Sequence, residues 1–338
     1  HLGIGTRAIP YIIGEKRVVN EIKSFYHLYH EALLRRYKGS QEELDLFQSR
    51  INQALAGMSG EERVERAIFD CMRDSDYLLC RNLQFSNDNN FSHQIDFLLL
   101  TPRFILLGEV KNISGTLYYD QTLRQFSRLK YDGATETFPN PFDQLNRHHE
   151  FLYYFLKRAN VHLPIVSLLV NANLNATLDR SFRGKPIINV SSFASKLREL
   201  NSAHPVLTTL SDLNRLKIFL ESNSVFYESN RYVPANLIQP GVLCPRCQFK
   251  SLMRFESRTW RCLNCHMNNR KALKLAIRDY RILIGNEITS KQFQAWTGIQ
   301  HKDTAYKLLQ GLDLNPFGQK RGRKYEIPQK YMFLEAID

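Results

Sequence analysis

Four of the six cysteines stand as Cys244-x-x-Cys247 and Cys262-x-x-Cys265, two knuckles separated by 14 residues. Each C-x-x-C turn brings two sulfurs to one point, and four thiolates at this spacing close a tetrahedral Zn²⁺ site. The gap is slightly short for such sites, which a tight hairpin tolerates. Two disulfides would need an oxidising compartment, and a redox pair would not need the second knuckle. A structural Zn²⁺ held by Cys244, Cys247, Cys262 and Cys265 is therefore the expectation. His266, next to Cys265, is not needed as a ligand. Cys71 and Cys80 stand alone and read as buried thiols.

Charge divides the chain at the same place. Residues 240–338 hold 18 Lys/Arg against 8 Asp/Glu, whereas residues 1–239 hold 28 against 25. A basic tail on a near-neutral body points to a polyanion, with nucleic acid the first candidate. The competing reading is a basic surface that only keeps the protein in solution. An apolar fraction of 43% and a charged fraction of 23% argue against wholesale disorder. No apolar run is long enough to cross a bilayer, and no secretory leader is recognisable, so a soluble, cytoplasmic protein is expected.

Hydrophobic spacing divides the chain further. Residues 14–56 read as two helices, with Val18, Ile22, Phe25 and Tyr29 on one face, and Leu44, Phe47, Ile51 and Leu55 on the next. Ser40 caps the second, and both are expected to pack on the domain that follows. A separate amphipathic helix, Glu61–Met72, is expected after Ser59-Gly60. Tyr77–Phe85 reads as a strand, and Gln94–Leu100 with Phe104–Lys111 as a hairpin across Thr101-Pro102-Arg103. Asn140-Pro141 opens a helix, Ile165–Val170 and Ile187–Val190 are buried strands, and Ser191/Ser192 cap a closing helix. A helix follows over Ser211–Leu220, capped by Ser211, and then a polar linker. The expected divisions are 1–56, an N-terminal helical segment; 57–200, an α/β domain with a mixed central sheet flanked by helices; 201–240, helix and linker; 241–270, a zinc ribbon; and 271–338, a small helical unit.

Charged residues interrupt the apolar hairpin at three positions. Asp96 heads Ile95-Asp96-Phe97-Leu98, and Glu109 and Lys111 end the partner strand, two residues apart and on one face. Two carboxylates meeting at the end of a buried sheet repel unless a cation lies between them. Mg²⁺ takes one or two carboxylates plus water and phosphate, and a neighbouring Lys can offset charge on a phosphoryl transition state. An exposed Asp beside an ordinary Glu–Lys pair is the alternative.

Several motifs in order resemble one family. Gly57-x-x-Gly60-Glu61, then Gln94-Ile95-Asp96, then Glu109-Val110-Lys111-Asn112-Ile113-Ser114-Gly115-Thr116-Leu117, then Asn140-Pro141-x-x-Gln144 closely resemble the nuclease-related domain (NERD) family. That family is placed in the PD-(D/E)xK nuclease superfamily, with a restriction-endonuclease-like fold. The resemblance covers roughly residues 57–175, and bacterial proteins of this type can carry a C-terminal zinc ribbon. It implies that Asp96 and Glu109 hold Mg²⁺ or Mn²⁺, that Lys111 is the catalytic lysine, and that Glu61 is an accessory acid. Gln144 would be a polar residue holding site or substrate. No departure appears at these positions. His148 and His149, just beyond, read as packing or surface, and Arg124, Arg128 and Lys130 as a DNA-facing or merely solvated edge.

In the tail, helices over Leu273–Leu283, Ser290–Trp296 and Asp303–Leu312 precede a basic run, Gly318–Pro328. Three short helices and a basic ribbon resemble a winged helix-turn-helix. Gln300, Lys302, Thr304 and Lys307 would lie at the recognition helix, and Lys320, Arg321, Arg323 and Lys324 in the wing against phosphate. The expectation is a metal-dependent nuclease acting on DNA, with RNA the less favoured substrate. A non-catalytic DNA-binding adaptor on the same fold is the rival.

Overall fold

A computed structural model describes residues 25–86, 92–226, 228, 231–319 and 322–334. Val18 and Ile22 of the first expected helix lie outside the described residues, as do Lys320 and Arg321.

The chain opens with α1 (Phe25–Arg36) and α2 (Gln41–Cys71). Ser40 caps α2 as expected, its hydroxyl accepting from Glu43 N while Glu43 reaches back to the Ser40 N–H. The expected break at Ser59-Gly60 does not occur, and α2 runs unbroken for 31 residues, about 46 Å at 1.5 Å per residue. Gly60 is a seat rather than a boundary. A Cβ there would stand 3.0 Å from the Asn112 Cβ and 3.4 Å from the Ala172 Cβ, so the missing side chain lets α2 lie directly on the sheet ends. Asn112 Nδ2 donates to the Ala56 carbonyl at 2.7 Å and Arg63 donates to the Ala172 carbonyl, which hold the helix there.

The central sheet has the order β1-β2-β3-β7-β9, from β1 (Leu78–Ser86), β2 (Ser92–Leu100), β3 (Ile105–Lys111), β7 (Ile165–Asn171) and β9 (Ile187–Asn189). The first three pair antiparallel, while β7 and β9 run parallel to β3. One face packs on α3 (Pro141–Arg158) and α5 (Leu210–Asn223), the other on the second half of α2 and on α4 (Phe193–Ala203). Burial on both faces explains why β3 reads as a continuous apolar run. Asn140 caps α3 with Pro141 at its first position, as expected. The cap of α5 is Thr209, not Ser211: Thr209 and Asp212 form a capping box, and Ser211 lies inside the helix. Likewise Ser192 precedes α4 without bonding it, because a 3₁₀ turn over Val190–Ser192 leads into the helix.

A second sheet was not legible in the hydrophobic pattern. It has the order β6-β5-β4-β8, from β4 (Gly115–Asp120), β5 (Gln125–Leu129), β6 (Thr135–Phe138) and β8 (Ala176–Leu178). Gly115, at φ +90°, opens it, where a Cβ would stand 2.6 Å from the Leu129 carbonyl oxygen.

The C-terminal part contains β10 (Val242–Leu243), β11 (Leu252–Glu256) and β12 (Thr259–Cys262) as one antiparallel sheet. It continues with α6 (Ala272–Leu283), β13 (Glu287–Ile288), α7 (Ser290–Thr297), α8 (Lys302–Gln310), β14 (Asn315–Phe317) and β15 (Lys324–Glu326). These last strands form an antiparallel sheet of order β13-β15-β14.

The N-terminal helices do not pack as expected. Phe25, Leu28, Tyr29, Leu33 and Phe47 share one core with the cysteine hairpin and with α6, α7 and α8. At its centre Asp279, 1% exposed, accepts from Arg36 Nε at 2.7 Å and Arg35 at 3.0 Å. Within the expected linker, residues 231–240 are held against this body, since Ile238 is buried and Arg231 Nε donates to the Ile282 carbonyl. The first and last described elements thus form a body of their own, and α2 runs from it onto the central sheet. Among the described residues no helix is long and apolar enough to cross a membrane.

Candidate active site

The β2–β3 ladder pairs Phe97 with Gly108 and then stops. Where the strands part, Val110 N–H loses its ladder partner and donates instead to Asp96 Oδ2 at 2.7 Å. This is a local consequence of putting an acid, rather than an apolar residue, at the point of divergence. Across from Asp96 lies Asn82 of β1, in the left-handed region at φ +49°. Alternation slips here on both strands: Cys80 and Leu83 reach the same core, as do Leu98 and Ile95. That local twist turns the sheet edge toward α2, from which Glu61 faces it. Asn82 hydrogen-bonds the Glu61 carboxylate.

Glu109 is 2% exposed. Its Oε1 accepts from Lys111 Nζ at 2.6 Å, and Lys111 Nζ also donates to Gln144 Oε1 of α3 at 3.2 Å. Glu109 Oε2 is buried with no hydrogen-bond partner, and His148 Nδ1 stands 3.9 Å from it. So Asp96, Glu109, Lys111 and Gln144, from three elements, converge at one end of the sheet, with Glu61 beside them.

The electrostatics follow from burial. Desolvation, and then the charge of Asp96, push Glu109 up to about 8. Desolvation and Asp96 likewise push Glu61 up to about 7. Asp96 is also raised by burial, against the pull of the Val110 N–H and Lys111. Three acids that resist ionising together are a site that a cation would relieve.

Sequence reasoning missed two residues here. Asn82 carries no signal beyond its type. His148 reads from spacing as packing or surface, yet it is 7% exposed and lies beside Glu109, with desolvation lowering it to about 4. His149 turns away and bonds Ser167 Oγ at 2.8 Å. The cations of the possible DNA edge pair with acids, Arg124 with Asp143, and Arg128 and Lys130 both with Glu136.

The four tail cysteines gather with all their Sγ atoms within 4.8 Å of one another. Cys244 and Cys265 Sγ are 3.7 Å apart, and Cys247 and Cys262 Sγ 3.8 Å. A tetrahedron with metal–sulfur bonds of about 2.3 Å has edges of about 3.8 Å, so the cluster fits Zn²⁺ and is too open for disulfides. The N–H groups of Asn264 and Cys265 point at Cys262 Sγ, as a thiolate requires. Among the described residues this is the one group of three or more His, Cys, Asp or Glu drawn so close, and Glu61, Asp96 and Glu109 are spread more widely.

Of the expected nucleic-acid residues, Lys302 and Lys307 are exposed on α8, and Arg323 and Lys324 on or beside β15, where Lys324 pairs with Glu287 at 2.9 Å. Other tail cations are structural: Arg278 and Arg281 are buried and donate to the Leu334 and Ile327 carbonyls.

Residues 56–172 match the family model of the nuclease-related domain. This stretch is a NERD domain. None of the curated proteins matches the chain. The NERD domain takes in the last turns of α2, all of β1 to β6, α3 and β7, and so contains every residue of the acidic site.

Proposed function

We propose that this protein is a metal-dependent nuclease that hydrolyses phosphodiester bonds in DNA, with its basic tail supplying affinity for the duplex. The observation that carries the reading is the carboxylate of Glu109, buried beside Asp96 with one oxygen bound by Lys111 and the other left without a partner. Burying such an oxygen unpaired is costly, and a site that keeps it has a use for it.

Asp96 and Glu109 would hold Mg²⁺ or Mn²⁺, which take oxygen ligands and tolerate two carboxylates completed by water and phosphate. Such an ion, when bound, supplies positive charge to the phosphate oxygens. The chain's own residues do the rest. Lys111 Nζ, fixed between Glu109 and Gln144, presents a cation to the phosphoryl group as its charge grows. Gln144 limits the swing of that lysine. Glu61, with its proton affinity near neutrality, suits a group that accepts a proton from an attacking water at its carboxylate.

The tail order α6, β13, α7, α8, β14, β15, with β13 joining the terminal hairpin, supports reading it as a winged helix-turn-helix, and the mixed main sheet is compatible with a restriction-endonuclease-like fold. Lys302 and Lys307 then reach the groove and Arg323 and Lys324 the backbone. A helix-turn-helix favours DNA over RNA.

The test is cleavage of plasmid, linear DNA and RNA by the full chain, with Mg²⁺, Mn²⁺ or chelator. The Asp96→Asn, Glu109→Gln double variant should lose cleavage while keeping DNA binding, and Lys111→Ala should lower turnover more than affinity. Undiminished cleavage by the double variant removes this site as the catalyst. Binding without metal-dependent cleavage by the wild type favours an adaptor, and cleavage of RNA alone an RNA-processing enzyme.

A further inference from the structure

We propose that the cleft on the α2 side of the acidic site receives an unpaired base of the nucleic-acid substrate, next to the bond to be cut; this rests on the nuclease reading. The cleft, about 680 Å³, lies between the two bodies of the molecule and is lined from both, by Tyr26 of α1, Glu61 of α2, Asn82 and Gln94 of the sheet, and Gln329 near the C-terminus. It is continuous with the catalytic candidates through Glu61 and Asn82, which hydrogen-bond each other. Whatever fills it is therefore placed beside the reacting phosphate.

Its size and chemistry select the occupant. The volume falls in the ~300–1,000 Å³ range of small-ligand pockets, far from the width of a duplex. Among the described lining residues Arg81 is the one cation, already paired with Glu65 at 2.6 Å, while Glu221 lies 3.7 Å from Lys217. With these charges already paired, the described lining suits a neutral group. The side chains of Asn82, Gln94 and Gln329 offer both donors and acceptors, as base edges require. Tyr26 is 42% exposed, and its ring offers a stacking surface of the kind that binds single strands without reading sequence. A base turned out of a duplex end or junction meets all three demands. The enzyme then prefers substrates with an unpaired nucleotide at the cut.

The test uses the full chain carrying Lys111→Ala, so that binding is read without turnover. Duplexes carry 2-aminopurine either as a one-nucleotide overhang or fully paired, and free 2-aminopurine deoxynucleotide monophosphate is a third probe. Quenching is expected for the overhang alone, with tighter binding than for the blunt duplex. Adding Tyr26→Ala should weaken overhang binding roughly five- to a hundredfold, the range for one lost base–aromatic stack, and leave blunt-duplex binding unchanged. Tyr26→Phe should restore it, which separates stacking from a fault in α1. Equal binding of overhang and blunt duplex, equal losses on both, or quenching of the free nucleotide alone overturns the proposal. These readouts need no cleavage, so a wild type that never cuts would end the nuclease reading and leave the base-pocket result standing or falling by itself.

Discussion

At Glu109, burial and the neighbouring Asp96 oppose ionisation more than Lys111 supports it, and the carboxyl holds its proton up to about 8. An acid whose folded value is raised binds more protons folded than unfolded between its ordinary value and the raised one. Its contribution to stability is complete below about pH 4.5 and disappears as pH rises through about 8. Chelated protein should therefore lose Tm from pH 5 to pH 8, and Glu109→Gln, which keeps shape without charge, should flatten that slope. Thermal unfolding across this window checks it; an unchanged slope in the variant would place the titrating group elsewhere. Mg²⁺ should raise the Tm of the wild type most at the alkaline end, where both carboxylates are charged. The pairing of Glu109 with Lys111 on one strand face is readable from period-two spacing alone. The orphaned oxygen and the burial of His148 are not, because both depend on where α3 lies over the sheet.

Among the elements, α2 couples sequence and site most directly. Gly60 lets it touch Asn112 and Ala172, and Glu61 follows at once. Gly60→Val should overpack that contact, destabilise by about 1–3 kcal/mol and cut activity further by moving Glu61. Gly60→Ala should be nearly neutral, since a gain in helix propensity of about 0.5–1 kcal/mol offsets the tight contact. Denaturant melts with activity measured alongside decide it, and a Val variant with wild-type values would refute the seat. In the cysteine hairpin, freshly purified protein should contain one zinc per chain. Cys262→Ser should lose it and unfold more than the hairpin, since Cys262 shares a core with Phe25, Leu33 and Phe47. Metal analysis and tryptophan fluorescence follow this, because Trp260 and Trp296 both lie in that core. Zinc retained in the variant, or an unchanged spectrum, would count against the arrangement. Helix ends show the same division between pattern and fold: Ser40 and Asn140 cap as their sequence suggests, whereas Thr209 takes the place expected of Ser211 because its partner Asp212 completes a capping box.

Over the whole molecule, α1 and α6, 243 residues apart at Arg36 and Asp279, are fastened by one buried acid. Burial alone would raise Asp279, but Arg35, Arg36 and Arg278 together hold it well below the usual carboxylate range. Asp279→Ala leaves Arg36, 1% exposed, without its charge partner, although its bonds to the Gln239 and Gly241 carbonyls remain. Loss of about 3–5 kcal/mol is expected, read by denaturant melts, and a loss below 1 kcal/mol would show that the clamp is dispensable. Removing residues 241–338 outright would strip the cover from Phe25, Leu33 and Phe47, so the tail's role in binding is better judged from charge substitutions in the intact chain. What the sequence determined by itself were features with short-range causes: the cysteine knuckles, the apolar β3 run with its Glu-x-Lys end, the Ser40 and Asn140 caps and the NERD motifs. Only the tertiary structure decided that the first helices pack on the last ones, that α2 passes unbroken through Ser59-Gly60, and that the second sheet forms from 115–138 and 176–178. Amphipathic spacing records that a face is buried, and the partner that buries it is chosen by shape and charge met far along the chain, as Arg36 meets Asp279.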